Sequence, residues 1–194
     1  MQTQAQTNAS ATKVPASSRQ PARFEIDSAH ASAQFKVRHL MVSNVRGELG
    51  RVTGEAFIDE GDMSLSEVTA SIDVTSIDTK NADRDAHLKG GDFFDVERHP
   101  SIIFRSTSVR PRGSDQLEVR GELSMRGVTR SETLSVELSE PVTDPWGNVK
   151  RGVTATARLN RKDYGVSWNA AMDAGGVVVG DVVDVTIELE LTKR

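Results

Sequence analysis

The sequence predicts an all-β protein, an antiparallel β-barrel of about eight strands with one or two short helices. Short runs of residues alternate apolar and polar side chains, Gly, Pro, Asp and Asn separate these runs, and only two short stretches have a helical pattern. An open sheet would leave two exposed edges, whereas a closed barrel leaves none. The alternation therefore favours a closed barrel over a sandwich.

The strands are predicted from this alternation in chain order. The clearest run, VVDVTIELEL near the C-terminus, puts its aliphatic residues on one face and its acidic residues and threonine on the other. LEVRGELSM, TLSVEL and VTATARLN repeat the pattern, and further strands are predicted at 24–27, 33–39, 47–58, 66–74 and 101–109. The two helical stretches are VRHLMVSN (37–44) and NADRDAHLK (81–89), and the second ends before two glycines.

The inward-facing positions of the predicted barrel include four small residues: Ala70, Gly121, Ala155 and Ala157. A barrel of about eight strands is either filled by its own side chains or holds one small ligand. Small residues indicate a cavity, but they also suit a tapering barrel in which large side chains lie opposite them. The pattern leaves both readings in place.

Composition limits the classes of protein to which the chain can belong. Residues 1–22 have almost no large apolar side chains and are predicted to be a disordered polar tail, so that 23–194 form one domain. The net charge of -4 gives no overall positive field toward nucleic acid or anionic lipid head groups. No apolar run is long enough for a transmembrane helix, and the N-terminal residues lack the apolar core of a secretory signal. We therefore expect no nucleic-acid partner and a cytoplasmic location.

Motifs of common enzymes and metal sites are absent from the sequence. The chain has no cysteine, no nucleotide-binding glycine loop, no G-x-S-x-G and no H-E-x-x-H. The four histidines (30, 39, 87 and 99) do not have the spacing that puts two of them on one face of a strand or helix. We predict neither a metal nor a cofactor.

The stretch NADRDAHLKGGDFF has the densest polar cluster of the chain. Asp83, Arg84, Asp85 and His87 are more typical of a structural ion-pair cluster than of an acid, a base and an orienting group. The two phenylalanines that follow, in a loop, are predicted to plug the end of the barrel or to line its entrance.

The motif order resembles that of the YceI-like family, the lipid- or polyisoprenoid-binding proteins of bacteria. The similarity runs through FEIDSAHASAQFKVRHLMVSNVRGEL (24–49), the segment 72–107, GELSMRGVTRSETLSV (121–136) and the segment 161–191. The most specific part is the order H-x₈-H-L, R-D-x-H-L-x₄-F-F-D and G-V-T-R. The resemblance covers essentially all of the chain after the tail.

This resemblance implies a lipocalin-like barrel whose lumen holds an isoprenoid or a similar amphiphile, such as a quinone or a fatty acid derivative. We therefore expect a non-enzymatic carrier or reservoir of such a lipid, and the resemblance is compatible with a homodimer. The predicted apolar lining is Phe35, Val37, Leu40, Val45, Ile72, Leu88, Phe93, Phe94, Phe104, Trp168 and Met172, and the predicted polar mouth is Arg38, His39, Arg84 and His87.

Two other functions stay open from the sequence. One is an enzyme that acts on such a lipid through Asp85 and His87. The other is a stress-linked protein that acts by binding other proteins. Its barrel would be filled by its own side chains, without a ligand or a continuous cavity.

Overall fold

The structure, a computed structural model, describes residues 20–171 and 176–194. Within them the chain forms an antiparallel barrel with one α-helix, which confirms the predicted fold class. Three 3₁₀ turns lie at Met63–Leu65, Val74–Ser76 and Arg161–Tyr164. The other elements are β1 (Ala22–His39), β2 (Ser43–Glu48), β3 (Arg51–Ile58), β4 (Glu67–Asp73), α1 (Ala82–Lys89), β5 (Ser101–Pro111), β6 (Gln116–Met125), β7 (Val128–Leu138), β8 (Val142–Thr143), β9 (Val149–Asn160) and β10 (Val179–Lys193).

Eight strands close the barrel in the order β1, β3, β4, β5, β6, β7, β9 and β10. The last strand, β10, pairs with β1 along one edge and with β9 along the other, and this double pairing completes the ring. Strand β2 pairs with the second half of β1, and the short strand β8 pairs with β9. All of these pairings are antiparallel.

The first strand has two partners on the same edge. Its first residues pair with β3, and Gln34–His39 pair with β2. The chain bends between β2 and β3 at Gly50, whose φ is 141° and whose missing Cβ would collide with the carbonyl oxygen of Asp73. The prediction of one continuous strand over 47–58 is therefore wrong.

The two predicted helical stretches have different outcomes. VRHLMVSN is the end of β1, a turn and the start of β2, because Val37 pairs with Val45 and His39 with Ser43. The helical prediction is wrong for this stretch. The helical prediction is correct for NADRDAHLK. Asn81 caps α1 by accepting a hydrogen bond from the backbone N–H of Arg84, and the helix ends before Gly90.

The core lies inside the barrel, and α1 lies across one end of it. Phe24, Val52 and Val74 are fully buried among the aliphatic residues that the strands point inward. No residue of α1 is fully buried. The helix therefore covers an end of the core and does not contribute to its centre.

Gly121 gives a test of the packing. A Cβ at this buried position would collide with the carbonyl oxygen of Arg105 and come within 2.5 Å of the Phe104 ring. We expect Gly121→Ala to lower the free energy of unfolding by about 1–3 kcal/mol, because the backbone oxygen cannot move aside easily.

Gly113 is the matched control, since a Cβ there would meet only Gln116 at 3.9 Å. Gly113→Ala should change the free energy of unfolding by less than about 0.5 kcal/mol in urea denaturation. Equal effects of the two substitutions would contradict this account of the interior.

Candidate functional site

The barrel encloses a cavity of about 550 Å³. Each of the eight barrel strands contributes to its wall, and most of the lining side chains are aliphatic or aromatic. The side chains of β10 that face the cavity are those of the alternating C-terminal run: Val183, Val185, Ile187, Leu189 and Leu191.

The cavity extends along the whole barrel. At the end that α1 covers, called the helix end, it is lined by His39, Trp168 and Val179. At the opposite end, called the far end, it is lined by Met63 and Leu138. The space is therefore elongated, and its long axis follows the barrel.

Two chain segments, residues 79–96 and 161–168, close the helix end and are here called the cover. Three of its rings pack together: the His87 ring lies edge-on to Phe93 at 4.9 Å and to Trp168 at 4.8 Å between centroids. Phe93 and Trp168 lie 5.4 Å apart. All three residues line the cavity, so the cover presents an aromatic inner surface to it.

The polar cluster of α1 is organised around Thr79, a buried residue that the sequence analysis did not select. Asp85 Oδ1 accepts hydrogen bonds from the backbone N–H and the hydroxyl of Thr79. Arg84 donates to the Thr79 hydroxyl at 2.7 Å and to its carbonyl oxygen at 2.8 Å. These two side chains thus fix the start of the cover through Thr79 and not through an ion pair with each other.

His87 pairs with Asp92, whose Oδ2 lies 3.1 Å from its Nε2. Asp85, the other member of the hypothetical catalytic pair, is engaged with Thr79. The geometry therefore gives His87 and Asp85 separate partners.

Two arginines of the β6–β7 hairpin attach the cover to the barrel. Arg126 donates to the carbonyl oxygens of Gly165 at 2.7 Å and Gly91 at 2.6 Å, one in each segment of the cover. Arg130 donates to the carbonyl oxygen of Asp163 at 2.7 Å. The hairpin thus holds the two segments in a fixed relation.

Arg161 is the buried charge of this region, and it also lines the cavity. It donates to the carbonyl oxygens of Val166 at 2.7 Å and of Gly180 at 2.8 Å. Burial lowers the pKa of its guanidinium, and the charge of Asp181 opposes that change. Because carbonyl oxygens satisfy its donors, Arg161 ties the cover to the start of β10.

Tyr164, in the second segment of the cover, is fully buried, and its hydroxyl donates to Glu132 Oε1 of β7 at 2.6 Å. Burial raises the pKa of the Tyr164 phenol well above its ordinary value, and the hydrogen bond to the Glu132 carboxylate raises it further. The bond anchors the second segment of the cover to the barrel wall.

Most of the residues predicted as the site come together at the cavity. Leu40 does not line it, because its side chain lies in the exposed turn between β1 and β2. Met172 lies outside the described residues. The predicted residues that line the cavity are Phe35, Val37, Arg38, His39, Val45, Ile72, Arg84, His87, Leu88, Phe93, Phe94, Phe104 and Trp168.

The small inward residues have two different roles. Ala70, Ala155 and Ala157 line the cavity and leave space in it. Gly121 instead accommodates the Phe104 ring on the neighbouring strand. The sequence signal for a cavity was therefore correct at the three alanines, and the filled-barrel explanation applies at the glycine.

Sequence reasoning missed two groups of lining residues. The first is the set of large aliphatic residues on the inner faces of β6, β7, β9 and β10, since only small residues of β6 and β9 were named as inward-facing. The second is the polar residue Arg161, whose partner Gly180 lies 19 residues away and which has no periodic pattern that identifies it.

In the described part of the chain, one group of side chains has the composition of a metal site. Ligand atoms of Asp27, His30 and Glu190 lie within 4.8 Å of one another. Lys150 Nζ lies 2.7 Å from Glu190 Oε1 and 3.5 Å from Asp27 Oδ2, so an ammonium group already pairs with both carboxylates. Among the same residues, no helix has the length and apolar character to cross a bilayer.

The single tyrosine of the chain makes its titration directly measurable. We expect the ultraviolet absorbance of tyrosinate to stay absent in the folded protein at pH values where the urea-unfolded chain ionises, near a pH of about 10. Because the folded pKa is raised, the stability due to Tyr164 is present below this pH and is lost as the pH rises through the folded pKa.

Glu132→Gln is the matched variant, since it removes the carboxylate and leaves the burial of the ring. Its tyrosine should ionise at a pH between the one at which the unfolded parent chain ionises and the one at which the folded parent chain ionises. Ionisation of the folded parent protein near its ordinary pKa would contradict the buried Tyr164–Glu132 bond.

Two comparisons with known proteins point to the same family. A model of the YceI-like domain matches residues 24–191. A UPF0312 protein of Staphylococcus aureus (strain N315) is 37% identical over 170 residues, which cover 87% of this chain and 96% of that protein.

Two solved structures have the same fold. BcnA of Burkholderia cenocepacia matches with a TM-score of 0.75 and 19% identity, over 85% of this chain and 98% of that one. A polyisoprenoid binding domain from Saccharophagus degradans, implicated in plant cell wall breakdown, matches with a TM-score of 0.65 and 15% identity, over 90% of this chain and 99% of that one. The family model and the relative span most of the chain, which therefore belongs to the YceI-like family.

Proposed function

We propose that this protein binds an isoprenoid or a similar long-chain amphiphile in its lumen and acts as a carrier or reservoir of that lipid. The observation that supports this most directly is the continuous apolar cavity, which runs from the cover to the far end. An elongated apolar space fits a chain better than it fits a compact polar metabolite.

Transfer free energy is sufficient for such binding. Burial contributes about 0.8 kcal/mol for each methylene, so a chain of about 20 carbons gains about 16 kcal/mol before costs are subtracted. Immobilisation and ordering of the chain remove a large part of that gain. The remainder permits tight binding without a charged group in the lumen.

The size of the cavity also favours an occupied state. An empty space of about 550 Å³ leaves the inner side chains without packing partners, and unfilled apolar space is destabilising. A lipid that restores these contacts stabilises the folded chain by mass action. The ligand-free alternative predicted no continuous cavity, and the barrel has one.

The polar rim at the helix end can orient a head group. Arg38, His39, Arg84 and His87 all line that end of the cavity. Arg84 is engaged with Thr79, and His87 pairs with Asp92. Arg38 Nε and Nη2 reach the carbonyl oxygen of Met41, at 3.1 and 2.9 Å. A head group would thus meet side chains that the protein already holds in place.

The similarity to a polyisoprenoid binding domain supports the choice of ligand class. An enzyme acting through Asp85 and His87 has less support, because the two side chains have separate partners. A binding role needs only the apolar wall and the polar rim.

The first test is native mass spectrometry of the protein expressed in bacteria, followed by organic extraction of what it releases. We expect one long-chain isoprenoid, quinone or fatty amphiphile for each chain. A mass without ligand that stays unchanged after incubation with such lipids would overturn the proposal.

A second test narrows the lumen. Ala157 lines the cavity, and Ala157→Phe should fill part of it, so that retained lipid falls at least about fivefold while the delipidated protein stays equally stable or gains stability. Thr154→Phe, on the exposed face of the same strand, is the control and should retain lipid as the parent does. Equal retention by both variants would place the ligand elsewhere.

A further inference from the structure

The turn between β1 and β2 exposes three consecutive apolar side chains. Leu40, Met41 and Val42, here called the tip, have 39%, 52% and 77% of their surface exposed. A single exposed apolar residue is common on protein surfaces, but three at the end of a hairpin form a protrusion. The tip lies at the helix end of the barrel, since His39 and Ser43 flank it.

The backbone of the tip is unfavourable for its residues. Leu40 and Met41 have φ values of 50° and 59°, and the Val42 N–H bonds to the His39 carbonyl oxygen at 3.1 Å. Turns with two central residues at positive φ strongly prefer Asn-Gly or Asp-Gly, because larger side chains are strained there. Folding alone would favour small polar residues, so the large apolar side chains indicate a contact outside the chain.

Basic residues flank the tip. Between Lys36 and Arg46 the chain has three basic residues, one histidine and no acidic residue. Two carboxylates approach from β10. Asp184 lies 2.9 Å from Lys36 Nζ, and Asp181 lies 2.9 Å from Lys162 Nζ. The three flanking cations and Lys162 outnumber these two carboxylates, so the charge around the tip is locally positive although the whole chain carries -4.

The tip is continuous with the end of the lumen. Its neighbours Arg38, His39 and Val45 line the cavity. The Leu40 N–H donates to the carbonyl oxygen of Val178, another lining residue, at 2.8 Å. A surface that contacts the tip would therefore lie against the helix end of the barrel.

We propose that the tip inserts into the surface of a bilayer with anionic head groups, so that the helix end of the lumen faces the membrane. Apolar side chains enter the boundary between head groups and acyl chains, and the flanking cations bind the head groups. This inference goes beyond the proposed function, because membrane contact does not need an occupied lumen and is measured separately from retained lipid.

Flotation with vesicles tests the inference. The full chain should float with phosphatidylcholine vesicles that contain phosphatidylglycerol, bind pure phosphatidylcholine vesicles more weakly, and dissociate as salt is raised. The variant Leu40→Asn, Met41→Gly, Val42→Ser should bind the anionic vesicles at least about tenfold more weakly. Its melting temperature should not fall, because the new turn residues suit the backbone, and this separates lost binding from lost folding.

Trp146→Ser provides the control for general apolar adsorption. Trp146 is 84% exposed in the β8–β9 hairpin at the far end. Its replacement should leave vesicle binding unchanged.

The absence of native cysteines allows a direct test of insertion. A polarity-sensitive dye on Val42→Cys should shift to shorter emission wavelength with anionic vesicles, and the same dye on Trp146→Cys should not. Failure of the parent chain to bind anionic vesicles would overturn the inference. That is the result expected if the tip contacts a protein and not a membrane. Equal binding by the parent and the tip variant would overturn it as well.

Discussion

Closure of the sheet is the constraint on which the rest of the structure depends. Strand β10 bonds to β1 on one edge and to β9 on the other, so the eight strands form a closed ring. A closed wall keeps its shape without a fully packed centre, and the apolar inner faces are shielded from water on all sides. The lumen, the cover and the polar rim all depend on that ring.

The parts that the sequence predicted are those with a short-range signal. Alternation in β10 identified one apolar face, and the structure turns that face toward the cavity. The two glycines marked the end of α1 because a helix stop acts on adjacent backbone groups. The stretch 37–44 was misread because its apolar spacing fits both a helix and a strand. Pairing of Val37 with Val45 resolves that ambiguity, and it is a tertiary property.

The polar contacts of the cover were beyond sequence reasoning for a related reason. Tyr164 bonds to a carboxylate 32 residues away, and Arg126 reaches Gly91 from 35 residues away. Neither partner is implied by local spacing, since the barrel alone brings them together. Cavity size also depends on how side chains from all strands meet, as the contrast between Gly121 and Ala157 demonstrates.

The divided pairing of β1 has a kinetic consequence. Among the described residues, β2 pairs with β1 on one edge, and its opposite edge has only a bridge between Glu48 and Asp78. This edge adjoins Asp78 and Thr79, and not a strand ladder. Opening at this edge breaks few backbone hydrogen bonds, so it requires a smaller free energy than unfolding of the barrel. Local opening at this edge can then be more frequent than global unfolding of the barrel.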